Sequence, residues 1–150
     1  MVEKIKALAK QYAPALIEIR HHLHAHPELS YQEFETSKFI QQQLKDLEIP
    51  FEIKATTGVV GLIKGQHSEK RVIALRADID ALPIKEENTV PYKSQKDGVM
   101  HACGHDVHTT CLLGAAKILN DLKAEWEGTV KLIFQPGEEK NPGGASLLIK

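Results

Sequence analysis

The chain has 150 residues, a formal net charge of -1 at pH 7, and ordinary shares of hydrophobic (42%) and charged (26%) residues. This length and composition fit one globular domain. Scattered lysines and arginines argue against nucleic acid or an anionic membrane as a partner. No apolar run approaches the ~20 residues of a membrane span, and the N-terminal stretch lacks the apolar core of a signal peptide. With 2 cysteines there is no disulfide framework, Cys111 is expected to pack as a small apolar residue, and a cytoplasmic location is expected.

The first part of the chain predicts two helices. Apolar residues recur at helical spacing over residues 3–24, and Pro14 marks a break or a kink within this pattern. Ser30 and Glu33 form a capping-box pattern, which predicts a second helix that starts at Ser30 and ends before Pro50. Histidines crowd the end of the first helix, where they suit the C-terminal dipole better than metal binding: His21, His22, His24 and His26.

The middle of the chain predicts strands. Residues 51–64 indicate two short strands joined by a turn at Thr57-Gly58. The nearly continuous apolar run 71–76 predicts a strand that is buried on both faces of a sheet. Residues 84–99 carry prolines and charges with little periodicity, which indicates a surface loop that borders the site.

The last third predicts a helix, a strand and the start of another helix. The first of these helices is expected from Thr109 or Thr110 to Lys123, where leucines and alanines make a narrow apolar face. Residues 129–134 predict a strand, and residues 143–150 predict the beginning of a final helix.

The segment Met100–His108 concentrates side chains that bind metals. A thiolate and an imidazole are good ligands for zinc and similar divalent ions, and only Gly104 separates Cys103 from His105. Because glycine lets the backbone turn sharply, one tight loop can present both ligands. Asp106 is expected to orient a ligating imidazole. The alternative is a polar loop whose histidines are solvated.

Two predicted strands are each followed by a pair of acidic residues. Asp78 and Asp80 follow the first strand, and their i, i+2 spacing points both side chains off the same face. Glu138 and Glu139 follow the second. Ligands gather at the carboxyl ends of strands in open α/β sheets, so both pairs are expected to meet the cysteine–histidine loop at one rim. The alternatives are capping aspartates in a turn and a charged surface turn.

Such a set of thiolate, imidazole and carboxylates can hold one divalent metal, or two at about 3.5–4 Å from each other. Because Glu138 and Glu139 are adjacent, one of them can bind metal while the other stays free as a general base. A metal lowers the pKa of bound water to about 7, and a glutamate can then take the proton. Two other hypotheses stay open: a non-catalytic metal-binding or interaction domain, and Cys103 acting as a nucleophile with a histidine base.

Four segments together resemble the metal-dependent amidohydrolases of the aminoacylase and hippurate hydrolase type, which include auxin-conjugate hydrolases and N-acetyl-diaminopimelate deacetylases. The matching segments span most of the chain in the family's order: His24–Ser30, Leu75–Pro83, Met100–Asp106 and Phe134–Glu139. Any one segment alone is only suggestive, whereas the four together are very specific.

The resemblance implies a role for each of these residues. Metal-ligand positions, usually for two manganese, zinc or similar ions, are matched by three residues: Cys103, His105 and Glu139. Glu138 matches the general base, and Asp78 and Asp80 match the aspartates behind the site. The family hydrolyses N-acyl bonds of amino acids, so the implied substrate is a small N-acyl amino acid.

The resemblance also implies the fold, a three-layer α/β/α zinc-exopeptidase-like catalytic domain that is incomplete at its C-terminus here. Residues 1–150 match the N-terminal part of that domain. In family members the inserted dimerisation domain, further metal-binding histidines and the C-terminal part of the catalytic domain lie beyond Lys150. A full-length form is expected to be a homo-oligomer, whereas the 150-residue chain is expected to be inactive and to keep an unprotected sheet edge.

Overall fold

The computed structural model describes residues 1–149, which fold into helices around one sheet. The helices are α1 (Val2–Ala25), α2 (Phe34–Asp46), α3 (His105–Asp121) and α4 (Gly144–Ile149). The strands are β1 (Phe51–Lys54), β2 (Gly58–Lys64), β3 (Val72–Asp78) and β4 (Thr129–Gln135). Among the described residues, none of the helices combines the length and apolar character that crossing a bilayer requires. The final helix was predicted to include Lys150, which lies outside the described residues.

Helix α1 runs through Pro14 without a break, so of the two alternatives predicted at this proline, a break or a kink, the break is wrong. A proline inside a helix costs about 3 kcal/mol because it removes a hydrogen bond and crowds the preceding turn. Packing offsets this cost, since α1 lies along α3 over much of its length. At this contact Leu16 sits so close to Gly114 that a Cβ there would collide with it.

Helix α2 begins at Phe34, four residues later than the capping-box pattern predicts. The Ser30 hydroxyl donates instead to Asp80 (2.6 Å), so the predicted box does not form. The free backbone N–H groups of the first turn donate to the Glu28 carboxylate, which accepts from Thr36 N at 2.8 Å. The cap therefore comes from a residue six positions before the helix, and local spacing could not reveal it.

The sheet has strand order β1-β2-β4-β3. β1 and β2 form the predicted hairpin, with its turn at residues 55–57 rather than at Thr57-Gly58. β2 also pairs antiparallel with β4, whereas β3 and β4 are parallel and joined by α3 as the crossover helix. Helices α2 and α3 pack against the sheet, and the core that they form with it includes Ile40, Leu44, Val59, Ile63, Leu132 and Phe134.

Strand β3 is not buried on both faces, contrary to the prediction from its apolar run. It lies at the edge of the sheet, and Val72 and Ile73 are 64% and 48% exposed. Only its last residues, Ala77 and Asp78, are buried. An apolar run indicates that a strand can be covered on both faces, but Val72 and Ile73 point to opposite faces and both are exposed, so the described residues leave the beginning of β3 uncovered on both faces.

Helix α3 begins at His105, four or five residues before the predicted start at Thr109 or Thr110. Gly104 precedes it with φ of +82°, a left-handed conformation that costs glycine little and turns the chain into the helix. The helix buries Leu112 and Leu113 in the core but leaves Cys111 exposed, so the prediction that Cys111 packs as an apolar residue is wrong. The early start places His105 in the first turn of a helix rather than in a loop.

Candidate metal centre

The candidate site lies where the carboxyl ends of β3 and β4 meet the beginning of α3. Parallel neighbours end at the same rim, and Asp78 of β3 pairs in register with Gln135 of β4. The crossover helix that joins them must begin at that rim, which brings His105 to both strand ends. The short connection after β4 then carries Glu138 and Glu139 over the same point. The predicted convergence of the acidic pairs on the histidine is thus what the topology produces.

His105 is the centre of this arrangement and is only 2% exposed. Its Nδ1 donates to the backbone carbonyl of Asp80 at 2.9 Å and lies 3.2 Å from that residue's carboxylate. The opposite nitrogen, Nε2, faces the rim, 3.7 Å from Glu139 and 3.9 Å from Glu138. With Nδ1 held as the donor, the neutral ring has its lone pair on Nε2, which faces the rim where a cation could bind.

Three of the predicted residues present one donor atom each to a common point. The donor atoms of Cys103, His105 and Glu139 all lie within 4.8 Å of one another. The Glu138 side chain is more open, at 40% exposed, and does not belong to this group of three. Sulfur, imidazole nitrogen and carboxylate oxygen together form a donor set that suits zinc and comparable divalent ions. The residues present therefore fit such an ion.

Asp80 holds both sides of the centre in place. Its carboxylate accepts from Ser30 Oγ at 2.6 Å and from the backbone N–H of Glu139 at 2.9 Å, in addition to facing His105. Burial raises the pKa of Asp80, but these hydrogen bonds, first the one from His105, outweigh burial and lower it to about 2. Asp80 is thus ionised at neutral pH, and one carboxylate ties the histidine to the glutamate loop.

A second group of ligand-type atoms forms on the other side of His105, made of Asp78, His105 and His108. The Asp78 carboxylate accepts from His108 Nδ1 at 2.7 Å and pairs with Arg76 at 2.9 Å, and it lies 3.6 Å from His105 Nε2. One lone pair on Nε2 can bind only one ion. The two groups therefore compete for His105, and Asp78 already has a hydrogen-bond donor and a guanidinium as partners.

The pKa values of the two strongest ligand candidates, Cys103 and His105, are both raised, but for different reasons. A hydrogen bond with Glu139, and then burial, raises the pKa of the Cys103 thiol above its usual 9.0. Burial lowers the pKa of His105, but the carboxylates of Asp80 and Asp78 outweigh burial and raise it. Without a cation at the centre, the Cys103 thiol thus keeps its proton at neutral pH, and the nearby carboxylates favour the protonated form of His105. A bound divalent cation would have to displace these protons.

Sequence reasoning missed a buried polar network behind this centre. His24 lies between two carboxylates, with Nδ1 2.8 Å from Asp106 and Nε2 3.1 Å from Glu86. Arg20 donates to the same Asp106 oxygen at 2.9 Å. Asp106 therefore orients His24 and not His105, which corrects the predicted role. The i, i+4 spacing of Arg20 and His24 signals a shared helix face, but nothing local pointed to Glu86.

His101 lies next to this network and is buried. Neither of its ring nitrogens has a hydrogen-bond partner among the described residues. Burial lowers the pKa of His101 to about 4, and the attraction of Asp106 offsets only part of that effect. The ring is therefore neutral at pH 7 and adds no positive charge to the buried network.

The buried network makes a pH-dependent contribution to stability that can be measured. Burial raises the pKa of Glu86, but hydrogen bonds from Ser94 N, His24 and Asn88 outweigh burial and lower it from 4.5 to about 2. Because folding lowers the pKa of Glu86, its ionised carboxylate stabilises the folded state. This contribution is complete above about pH 4.5 and is lost as the pH falls toward 2. Glu86→Gln is expected to be less stable at pH 7 and to lose less stability on acidification.

Urea unfolding at pH 7 and pH 3 tests this prediction. Exposed Glu87→Gln is the matched control, because it removes one neighbouring carboxylate without touching the network. Equal acid sensitivity of Glu86→Gln and the unsubstituted chain would contradict the assignment.

Comparison with known proteins places this geometry in a family. Residues 74–150 match the model of peptidase family M20/M25/M40. The N-acetylcysteine deacetylase of Bacillus subtilis (strain 168) is 48% identical over 144 residues, which cover 93% of this chain and 37% of that protein. The N-acyl-L-amino acid amidohydrolase of Geobacillus stearothermophilus is 45% identical over 149 residues, 99% of this chain and 40% of that protein.

A solved structure gives the same result for the fold. The crystal structure of a dinuclear metal binding peptidase of the M20 family from Bacillus subtilis superimposes with a TM-score of 0.87 at 48% identity, covering 93% of this chain and 40% of that one. The fold is that of part of an M20 family peptidase. The chain belongs to peptidase family M20/M25/M40, and it spans about 37–40% of the length of these relatives. The predicted family resemblance and α/β class are confirmed.

Proposed function

We propose that this chain is part of a metal-dependent amidohydrolase that cleaves the amide bond of N-acyl amino acids. The observation that carries the proposal is the group of donor atoms from Cys103, His105 and Glu139 within 4.8 Å of one another, with Glu138 beside it. The names of relatives that are 45–48% identical support the substrate class, since both act on N-acyl or N-acetyl amino acids.

Cys103, His105 and Glu139 would hold the ion, and manganese or zinc suits their donors. Two ions are proposed for the whole protein, by analogy with the dinuclear peptidase of the same family. When bound, such an ion supplies Lewis acidity and lowers the pKa of bound water to about 7. The three residues come from the turn before α3, the first turn of α3 and the connection after β4, so the fold preorganises them.

Glu138 would act as the general base. Water adds its oxygen to the amide carbonyl carbon while the Glu138 carboxylate takes its proton, and the C–N bond breaks as that proton passes to the leaving nitrogen. The products are a carboxylic acid and a free amino acid. The greater exposure of Glu138 supports this role, since a base must reach both water and substrate.

Asp80, which fixes His105 through Nδ1, is the proposed orienting aspartate, and Asp78 would lie behind the site with His108.

The alternative of a cysteine nucleophile fits the centre less well. A reactive cysteine needs a lowered pKa, whereas the hydrogen bond with Glu139 raises the pKa of Cys103. The acidic residues around it would also have no part in such a mechanism. A metal ligand is the better role for this thiol, because a bound cation itself drives the proton off.

For the domain organisation, we propose that residues 1–150 form the N-terminal part of the catalytic domain. An inserted dimerisation domain and the C-terminal part of the catalytic domain would complete the protein, which would work as a cytoplasmic homo-oligomer. The 150-residue chain by itself is then expected to be inactive. Strand β3 ends the strand order of the described sheet, and its free edge is consistent with a sheet that extends further in the whole protein.

Metal removal tests the proposed function. Dialysis of the full-length gene product against a chelator is expected to abolish hydrolysis of an N-acetyl amino acid, and adding back manganese or zinc is expected to restore it. Elemental analysis before and after dialysis provides the control for metal content. Full activity in the metal-free protein would contradict the proposal. Tight metal binding without any hydrolysis would instead support a non-catalytic metal-binding domain.

A further inference from the structure

Glu33 is a buried acidic residue for which the hydrolytic mechanism gives no role. Glu33 is 0% exposed and lies in the irregular segment between α1 and α2. One carboxylate oxygen accepts from Thr57 Oγ1 at 2.7 Å, and the other accepts from the backbone N–H of Gly137 at 2.8 Å. Burying a carboxylate costs free energy unless hydrogen-bond donors surround it. The role of Glu33 is therefore expected to lie in the two groups that donate to it.

Helix capping does not account for the Glu33 carboxylate. Glu33 is the residue before α2, but the N–H groups of Glu35 and Thr36 in the first turn already donate to Glu28. The Glu33 side chain points away from its own helix and reaches the hairpin turn and the connection after β4. Its two partners are more than twenty residues away along the chain in either case.

Tyr31, two residues earlier, contacts the same connection. Gly137 adopts φ of +57°, and a Cβ at this position would collide with the Tyr31 ring. The Tyr31 hydroxyl donates to the backbone carbonyl of Lys140 at 3.3 Å. The segment 31–33 therefore holds both ends of residues 137–140, which we name the glutamate loop because it carries Glu138 and Glu139.

We propose that Glu33 is a positioning residue that sets the placement of Glu138 and Glu139 over His105; this inference rests on the proposed function. Two backbone N–H groups of the glutamate loop are held by carboxylates. Gly137 N donates to Glu33, and Glu139 N donates to Asp80. Glu138 lies between these two anchors. Releasing the first anchor frees the backbone on which both glutamates depend, although Glu33 itself does not touch the metal centre.

Cobalt binding by the metal-free full-length gene product gives a readout that does not depend on catalysis. Coordination of Co²⁺ by the Cys103 thiolate produces a charge-transfer absorption band, and its growth on titration gives the dissociation constant. Glu33→Ala is expected to raise that constant about 10–100-fold, because residues that position metal ligands contribute affinity of this size. The absorption band is also expected to change shape, since Glu139 no longer has a fixed position.

Glu33→Gln is the rescue variant. Its amide oxygen can accept from Gly137 N while its NH₂ group donates to Thr57 Oγ1, which can also act as an acceptor. Its dissociation constant for Co²⁺ is expected to stay close to that of the unsubstituted chain. Glu35→Ala is the control, since this exposed glutamate is two residues away and its side chain pairs with Lys38.

Thermal melting separates a positioning role from a purely structural one. A lower melting temperature for Glu33→Ala with an unchanged Co²⁺ dissociation constant and spectrum would overturn the inference. If Glu33→Ala does not fold, Glu33→Asp takes its place, because it keeps the charge but shortens the reach to Gly137. Failure of the unsubstituted full-length protein to bind Co²⁺ would overturn the proposed metal function itself. Loss of the absorption band in Cys103→Ser, with binding by the unsubstituted chain intact, shows that the probe reports this centre.

Discussion

Replacing Glu138 by glutamine is expected to lower kcat of the full-length hydrolase about 10²–10⁴-fold, the usual contribution of a general base. The amide keeps the size of the side chain but cannot take a proton from water. Metal content is expected to stay unchanged, because Glu138 lies outside the group of donor atoms formed by Cys103, His105 and Glu139. KM is expected to change little, since the lost interaction belongs to the transition state.

The neighbouring glutamate provides the contrast. Glu139→Gln is expected to lose both activity and metal, because it removes a ligand rather than a base. Steady-state kinetics with an N-acetyl amino acid, together with elemental analysis of both variants, measures the difference. Full turnover by Glu138→Gln would contradict its assignment as the base, and loss of metal from that variant would show that Glu138 is itself a ligand.

Removing the His105 imidazole is expected to have the largest effect on metal affinity. His105→Ala is expected to weaken binding of Co²⁺ or Zn²⁺ more than about 100-fold, beyond the usual effect of losing a residue that only positions a ligand. The reason is the position of Nε2, which faces Glu139 at 3.7 Å while Nδ1 is held by the Asp80 carbonyl. No other described nitrogen joins Cys103 and Glu139 in their group of donor atoms.

His108→Ala is the matched control for this prediction, because it removes a second imidazole from the same rim. Its ring lies against Asp78, in the group that competes for His105. If the ion binds at Cys103, His105 and Glu139, His108→Ala is expected to bind metal nearly as well as the unsubstituted chain. An equal loss in the two variants would instead place the ion between Asp78, His105 and His108. Isothermal titration of both variants at one pH decides between these outcomes.

Much of the candidate site was predictable because its signals are local. Cys103 and His105 lie two positions apart, and each acidic pair directly follows an apolar run that forms a strand. Two parallel strands necessarily end at one rim, so the prediction that these segments converge needed only the strand assignments. Nothing in the spacing separated Asp80 from Asp78, since their roles depend on which face of His105 each carboxylate meets.

The wrong predictions have a common cause. The capping box at Ser30 and Glu33 has the right local pattern, yet both side chains bond to groups far along the chain. Asp106 is adjacent to His105 in the sequence but turns to His24, because neighbouring residues of a helix point in different directions. Local patterns identify what a side chain is able to bind, whereas its actual partner depends on which elements pack beside it.

By itself, the sequence determined the order and type of the elements, the family, and the residues able to bind a cation. These properties depend on periodicity, turn residues and short spacings, all of which are visible along the chain. Only the tertiary structure decided that Glu28 caps α2, that Glu33 and Asp80 hold the glutamate loop, and that the beginning of β3 is left exposed. Those outcomes depend on contacts between segments distant in sequence, where hydrogen-bond partners are selected by packing and not by proximity along the chain.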